Sequence, residues 1–171
     1  MDLSFGYGAL GSLPKLRTCR VRRESSYDRS GGNADYILVK PGETVIFADL
    51  PGAGVIRHIW LGGGAKEGSH HRKTLLRMYW DGEPTPSVEV PLGDFFGVGH
   101  GAAGSFFAAP ISMYQAGLPT HPARNCWFPM PFSAGARLVL VNEGTSPYYH
   151  YFCVDYEEHS AIPEDLGRFH A

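Results

Sequence analysis

The chain is poor in cysteine, in excess charge and in long apolar runs. Its three cysteines, Cys19, Cys126 and Cys153, show no paired spacing, which favours free thiols in a reducing compartment. We therefore expect a cytoplasmic protein. A net charge of -2 leaves no basic surface for nucleic acid. No apolar run approaches the roughly 20 residues of a membrane span, and the first residues lack the features of a signal peptide.

Sustained apolar spacing of 3.6 residues is also absent, which argues against long helices. Short apolar or alternating segments recur instead between turns, as 22 glycines and 13 prolines suggest. Eight or nine such segments predict an all-β fold, a single jelly-roll sandwich of antiparallel strands. We expect an extended N-terminal arm at 1–35, the sandwich at 36–160 and a C-terminal tail at 161–171.

Several of the predicted strands carry specific expectations. The apolar run Glu43–Leu50 predicts a strand that is buried on both faces. Phe106–Met113 and Asn125–Phe132 are each expected to form one strand, and 62–71 a glycine-rich polar loop. The longest strand, Tyr148–Glu157, should place Tyr149 and Tyr151 on the face opposite His150. Alternation in Gly54–Leu61 predicts two faces, one with Val55, Arg57, Ile59 and Leu61, the other with Ile56, His58 and Trp60.

Common catalytic motifs are missing. No Gly-x-Ser-x-Gly elbow occurs, and Cys126 and Cys153 lie in apolar strands, where a thiol is usually a small core residue. The pair His70-His71, with Glu83 nearby in sequence, superficially suggests a metal. Adjacent residues of an extended strand point to opposite faces, so the two imidazoles could not share an ion. We predict no metal and no cofactor.

Two loops combine groups that suit sugars. Residues 79–101, YWDGEPTPSVEVPLGDFFGVGHG, place Asp94, two phenylalanines and His100 among glycines. Residues 25–36, SSYDRSGGNADY, offer Tyr27, Asp28 and Asn33, which could stack on a sugar ring and hydrogen-bond its hydroxyls. Packed turns, in which these polar side chains satisfy backbone groups, explain the same residues.

Several blocks in a fixed order resemble glycoside hydrolase family 172, formerly a family of unknown function. They are GALGSLPKLR at 8–17, SSYDRSGGNADY at 25–36, GVIRHIW at 54–60, the 79–101 stretch, NCWFPMPF at 125–132 and the segment 155–171. The resemblance covers nearly the whole chain, but only the first half of such a protein. It implies two tandem jelly rolls, trimers similar to viral double-jelly-roll capsid proteins, and hydrolysis of furanosides such as α-fructofuranosides or D-arabinofuranosides.

The resemblance also places the two catalytic glutamates in the second jelly roll, in GEGD-like and GTGTEDYF-like blocks that do not occur here. We therefore assign no catalytic residue and expect the chain alone to be inactive. A non-catalytic module for assembly or carbohydrate binding is the alternative. The expected partners are a furanoside or oligosaccharide, a missing second jelly roll, and further copies of the chain in a trimer or a multiple of one.

We predict that polar and aromatic residues of the matching blocks line the substrate pocket: Tyr27, Asp28, Asn33, Trp60, Asp94, Phe95, His100 and Trp127. By residue type, a carboxylate pair could come from Asp28, Glu89, Asp94 and Asp155, although sequence spacing tests no pair. Arginines 17–23 could reach carboxylates of a neighbouring subunit. In the competing interpretation the chain is a monomer whose arm folds back over Tyr148–Tyr156.

Overall fold

The computed structural model describes residues 16–115 and 121–171, which form twelve strands and two single-turn helices. Most of the block at 8–17 lies outside the described residues. Neither described helix exceeds four residues, so none could cross a membrane. The elements are β1 Arg20–Ser25, β2 Ile37–Val39, β3 Thr44–Pro51, β4 Ala53–Gly64, α1 His70–Lys73, β5 Thr74–Trp80, β6 Val88–Pro91, α2 Leu92–Phe95, β7 Phe106–Phe107, β8 Ile111–Tyr114, β9 Ala123–Cys126, β10 Met130–Phe132, β11 Gly135–Asn142 and β12 Tyr148–His159.

Two antiparallel sheets enclose the core. The large sheet has the order β1-β12-β4-β9-β8-β7, with β2 also paired to β12 and β10 to β4. The small sheet has the order β3-β11-β5-β6. One cluster of buried apolar side chains joins residues of both sheets, so the predicted all-β sandwich of the jelly-roll class is confirmed.

The described residues form more strands than the eight or nine expected. The expected strand 106–113 is a hairpin, closed where the Ala108 amide donates to the Ile111 carbonyl at 3.0 Å. The expected strand 125–132 divides into β9 and β10, separated by a segment that contains Pro129, which has no N–H for a ladder. The expected arm contains β1, which pairs with β12 along its whole length.

Two bulges correct the predicted strand faces. Asp155 pairs with His58 and Tyr156 with Ile56, so Arg57 is an extra residue in β4. Arg57 and His58 therefore both leave the core, while Ile56 joins Ile59 and Leu61 inside it, and the predicted partition of β4 is wrong. In β3 a second bulge at Phe47 turns Ile46 outward, where it is 50% exposed, so β3 is not buried on both faces.

The glycines expected in a loop continue β4 instead. Gly63 pairs with His150 and has a φ of 104°, which few residues other than glycine adopt. A Cβ atom at Gly63 would lie 1.8 Å from the Tyr149 carbonyl oxygen, so only glycine allows the two strands to approach this closely. The loop that follows is shorter than predicted, and it leads into α1.

The C-terminal tail folds back onto the sandwich. The Ala171 amide donates to the Ser87 carbonyl at 3.2 Å, and the indole N–H of Trp80 donates to the Phe169 carbonyl at 2.7 Å. Arg168 pairs with Asp81 at 2.7 Å. Burial raises the pKa of Asp81, but the hydrogen bonds that its carboxylate accepts outweigh burial and leave the pKa below its usual value. The end of the described chain is therefore anchored along β6 rather than extended.

A buried polar cluster lies under α1. Arg124, fully buried, donates to the Tyr148 hydroxyl at 3.2 Å and contacts Nδ1 of His71 at 3.1 Å. Since His70 and His71 form a helical turn, with rings 4.1 Å apart, the strand argument used for them in the sequence does not hold. Burial, together with the charge of Arg124, lowers the pKa of His150 to about 3 and that of His70 below its usual value.

We expect the protein to lose stability as the pH falls from 7 to 5, because unfolded His150 binds a proton at its ordinary pKa of 6.5 while folded His150 stays neutral. His150 should contribute a loss of about 2 kcal/mol over this range, and His70 adds to it in the same direction. Urea unfolding at each pH measures the slope. His150→Phe, flanked by Phe47 and Phe152, should be flatter, and an unchanged slope would contradict the assignment.

Candidate functional site

The outer face of the large sheet gathers aromatic and charged side chains. Along β12, residues facing the core alternate with residues facing outward, and the outward set begins with Tyr149 and Tyr151, as predicted. His58 and Trp60 of β4 lie on the same face, because His58 pairs with Asp155 and Trp60 pairs with Cys153. More candidate residues lie together on this surface than elsewhere in the described structure. Some of them were predicted from the sequence, and others were not.

Five rings form what we call the aromatic face: Tyr36, Trp60, Trp127, Tyr149 and Tyr151. The ring of Tyr36 lies 5.1 Å from that of Tyr149 and 5.7 Å from that of Tyr151. Trp60 extends over Gly62, where a Cβ would come within 2.8 Å of the indole. Trp127 stacks on His58 at 5.4 Å and is 45% exposed. Flat rings with free edges or faces are therefore available to solvent.

Hydrogen-bonding groups lie beside these rings. Asp155 accepts hydrogen bonds from Nε and Nη2 of Arg23, at 2.6 and 3.1 Å, and contacts Nδ1 of His58 at 3.2 Å. His58 in turn contacts Asn125 Oδ1 at 3.0 Å through Nε2. Burial raises the pKa of Asp155, but the hydrogen bonds and charges of Arg23 and His58 outweigh it, so the net shift is downward. Asp155 is held as an ionised carboxylate.

Glu157, nearly buried on the same face, contacts two arginines and a histidine. Arg17 lies 2.6 Å from Oε1, and Arg57 and His159 lie 2.9 and 3.2 Å from Oε2. Burial raises the pKa of Glu157, yet the bonds from Arg57 and His159 and the nearby arginine charges leave it lower than usual. Arg17 and Arg23, expected to reach a neighbouring subunit, thus pair with carboxylates of their own chain.

The described carboxyl groups can be compared with the acid that glycoside hydrolysis needs. One member of a catalytic pair must stay protonated near neutral pH, which requires a raised pKa. Where the pKa of a described carboxyl group is shifted, it is lowered, as for Asp28, Glu67, Asp81, Asp155 and Glu157. Glu89 faces outward from the small sheet and pairs with Arg77 at 2.6 Å.

The predicted loop residues form two further groups. Tyr27 and Asp28 line an open cavity of about 340 Å³ above Phe47 and Phe152. The Asp28 carboxylate accepts hydrogen bonds from the Ser30 amide and hydroxyl and the Ala34 amide, so it serves its own turn, and the hydrogen bonds lower its pKa. Asn33 lies exposed in the same loop.

The third group belongs to α2 and the loop after it. Asp94 pairs with Arg72. Phe95 is a core residue, packed against Phe96 and Phe169, and offers little surface to a ligand. His100 is exposed, with a φ of 61°. The structure does not bring this group together with Trp60 and Trp127.

Sequence reasoning missed several members of the site. Tyr36 follows a loop, and the bulge brings Arg57 out of the core next to His58, which no residue type indicates. Another surface cavity, of about 400 Å³ and lined by Asp49, Tyr79, Glu83 and Arg137, lies at the small sheet and contains none of the predicted residues. Arg137 and Asp49 pair at its rim, and Tyr79 is the one aromatic residue among the described residues of its lining.

Comparison with known proteins gives one family. A family model described as GH172 domain-like matches residues 32–153, more than two thirds of the chain. The match starts in the loop before β2 and ends within β12, so it includes every residue of the aromatic face. No curated protein matches the chain.

We expect Glu157→Gln to lower the free energy of unfolding by about 1–3 kcal/mol, because a nearly buried carboxylate loses its charge beside two arginines. The neighbouring Glu158→Gln is the matched control. Glu158 is partly exposed and pairs with Arg22 alone, so its loss should stay within about 0.5 kcal/mol. Chemical denaturation at neutral pH measures both, and equal effects would contradict the central role of Glu157.

Proposed function

We propose, because the chain belongs to the GH172 domain-like family of glycoside hydrolase-related, carbohydrate-active domains, that it is a furanoside-binding jelly roll. In this proposal the chain supplies the binding surface, and a catalytic glutamate pair is supplied by a second jelly roll. The observation that carries the proposal is the aromatic face, which unites Trp60 and Trp127, both selected from the sequence, with three tyrosines.

The chemistry of the aromatic face supports a sugar ligand. Tryptophan and tyrosine combine a flat apolar ring with a polar edge, which suits a sugar ring bearing hydroxyls. Asp155, His58 and Asn125 form a hydrogen-bonded row next to Trp127, and such groups can exchange bonds with hydroxyls. The ionised state of Asp155 favours acceptance of hydrogen bonds from hydroxyls, not donation of a proton to a leaving group.

Binding of furanoside oligosaccharides tests the proposal. We expect arabinan and fructan oligosaccharides to bind, measured by calorimetry, and Trp127→Ala to weaken binding by up to about tenfold, the size of one aromatic stacking contact. Tyr79→Ala, on the outer face of the small sheet, is the matched control and should bind as the unaltered chain does. We expect no turnover of these substrates by the chain alone.

Two outcomes would contradict this function. Robust hydrolysis by the purified chain would place the catalytic pair within it. Normal binding by Trp127→Ala and Trp60→Ala, together with loss of binding by Asn33→Ala, would move the sugar to the loop cavity beside Tyr27.

We also propose assembly into a trimer or a multiple of one. The observation that favours it is an exposed apolar patch at one end of the aromatic face, where Leu38 pairs with Tyr149 and Tyr36 packs on Tyr149. Tyr149 is 39% exposed, although it lies between two paired strands. Contiguous apolar surface of this kind promotes association between subunits.

Light scattering at micromolar concentration tests the assembly. We expect an oligomeric mass, and a shift towards the monomer in Leu38→Ser because the patch loses its apolar centre. Ile46→Ser, at an equally exposed position of the small sheet, is the control and should keep the oligomer. A monomeric mass that does not change on dilution would rule out the trimer.

A further inference from the structure

Three side chains with metal-ligand atoms meet at the edge of the large sheet, away from the rings of the aromatic face. A sulfur of Cys19, a carboxylate oxygen of Glu157 and a ring nitrogen of His159 all lie within 4.8 Å of one another. The strand register explains this meeting. Arg20 pairs with Glu158, so Cys19 comes opposite His159, and Glu157 lies two residues back on the same face.

We propose that Cys19, Glu157 and His159 bind a divalent transition ion of the zinc class. Thiolate, imidazole and carboxylate are the ligands that zinc takes in proteins, and three of them leave a fourth position for water. The Glu157 Oε2 and His159 Nε2 atoms are 3.2 Å apart. Two ligands at tetrahedral angles around zinc, each about 2.0–2.1 Å from it, are separated by about 3.3 Å. The Glu157 and His159 donors thus already have the separation of two zinc ligands, and the Cys19 sulfur lies within 4.8 Å of both.

The charges around the cluster are compatible with such an ion. A divalent ion bound by one thiolate and one carboxylate forms a neutral centre, and binding releases the thiol proton. Arg57 and Arg17 now occupy the oxygens of Glu157, and their side chains are 39% and 45% exposed. Each guanidinium can turn into water, because the bound ion would then supply the positive charge that the buried Glu157 carboxylate needs. The arginines therefore act as competitors of the metal.

Binding at this place would be structural. Cys19 precedes β1 and the other two ligands lie at the end of β12, so an ion would tie the edge strand β1 to its neighbour β12. The ion binds the folded chain preferentially, and it therefore adds to the free energy of unfolding by mass action. The proposal departs from the sequence prediction of no metal, which weighed His70, His71 and Glu83 and did not consider Cys19, Glu157 and His159 together.

Titration with cobalt chloride, as a spectroscopic substitute for zinc, tests the site. We expect one equivalent to bind and to give sulfur-to-cobalt charge-transfer absorption, which zinc chloride then abolishes by displacement. Cys19→Ser should remove the band, and His159→Gln should weaken binding by more than roughly tenfold. Cys153→Ser is the matched control, because Cys153 lies on the same face of β12 but outside the cluster. It should behave as the unaltered chain.

Arg57→Gln gives an independent test that keeps all three ligands. Removing the competing cation should tighten cobalt binding, and zinc should then raise the melting temperature further than in the unaltered chain. Absence of the charge-transfer band, its persistence in Cys19→Ser, or its loss in Cys153→Ser would overturn the proposal. Circular dichroism of each variant verifies the fold, and none of these results depends on whether sugars bind.

Discussion

The pairing of β4 with β12 is the constraint on which most of the molecule depends. Each strand has twelve residues, and β12 also holds β1 and β2, while β4 also holds β9 and β10. The bulge at Arg57 divides this ladder into two registers. On one side it directs Ile56 into the core, and on the other it releases Arg57 and His58 to meet Glu157 and Asp155. One inserted residue thus defines both the core and the charged part of the outer face.

Charge is arranged differently inside and outside the sandwich. Inside, the guanidinium of Arg124 is held by Tyr148 and His71, and burial together with the charge of Arg124 disfavours protonation of His70 and His150. Outside, Asp155 and Glu157 are each matched by arginines and remain ionised. Neither environment provides a protonated carboxylic acid at neutral pH. This arrangement supports the proposed role of the outer face in binding a ligand.

Sequence periodicity predicted the sandwich and the two faces of β12, because alternation is a local property of an extended chain. It failed at Arg57 and Phe47, where one extra residue reverses the alternation and no residue type marks the change. It also failed at His70-His71, since a four-residue helix is too short to show a period. The sites depend on register as well: Cys19 meets His159, and Trp60 lies beside Cys153, through pairings that composition and spacing do not encode. The Asp28 carboxylate accepts hydrogen bonds from the amides of its own turn, as the alternative interpretation of the sequence predicted.

The position of β12 in the large sheet has a consequence for biosynthesis. A ribosome produces β1 and β4 long before β12, yet both strands pair with β12. Until the segment 148–159 leaves the exit tunnel, the nascent chain presents unpaired strand edges and an open apolar core. Topologies with such distant pairings fold slowly and are exposed to aggregation while they wait. We expect the growing polypeptide to need chaperone protection until β12 has emerged.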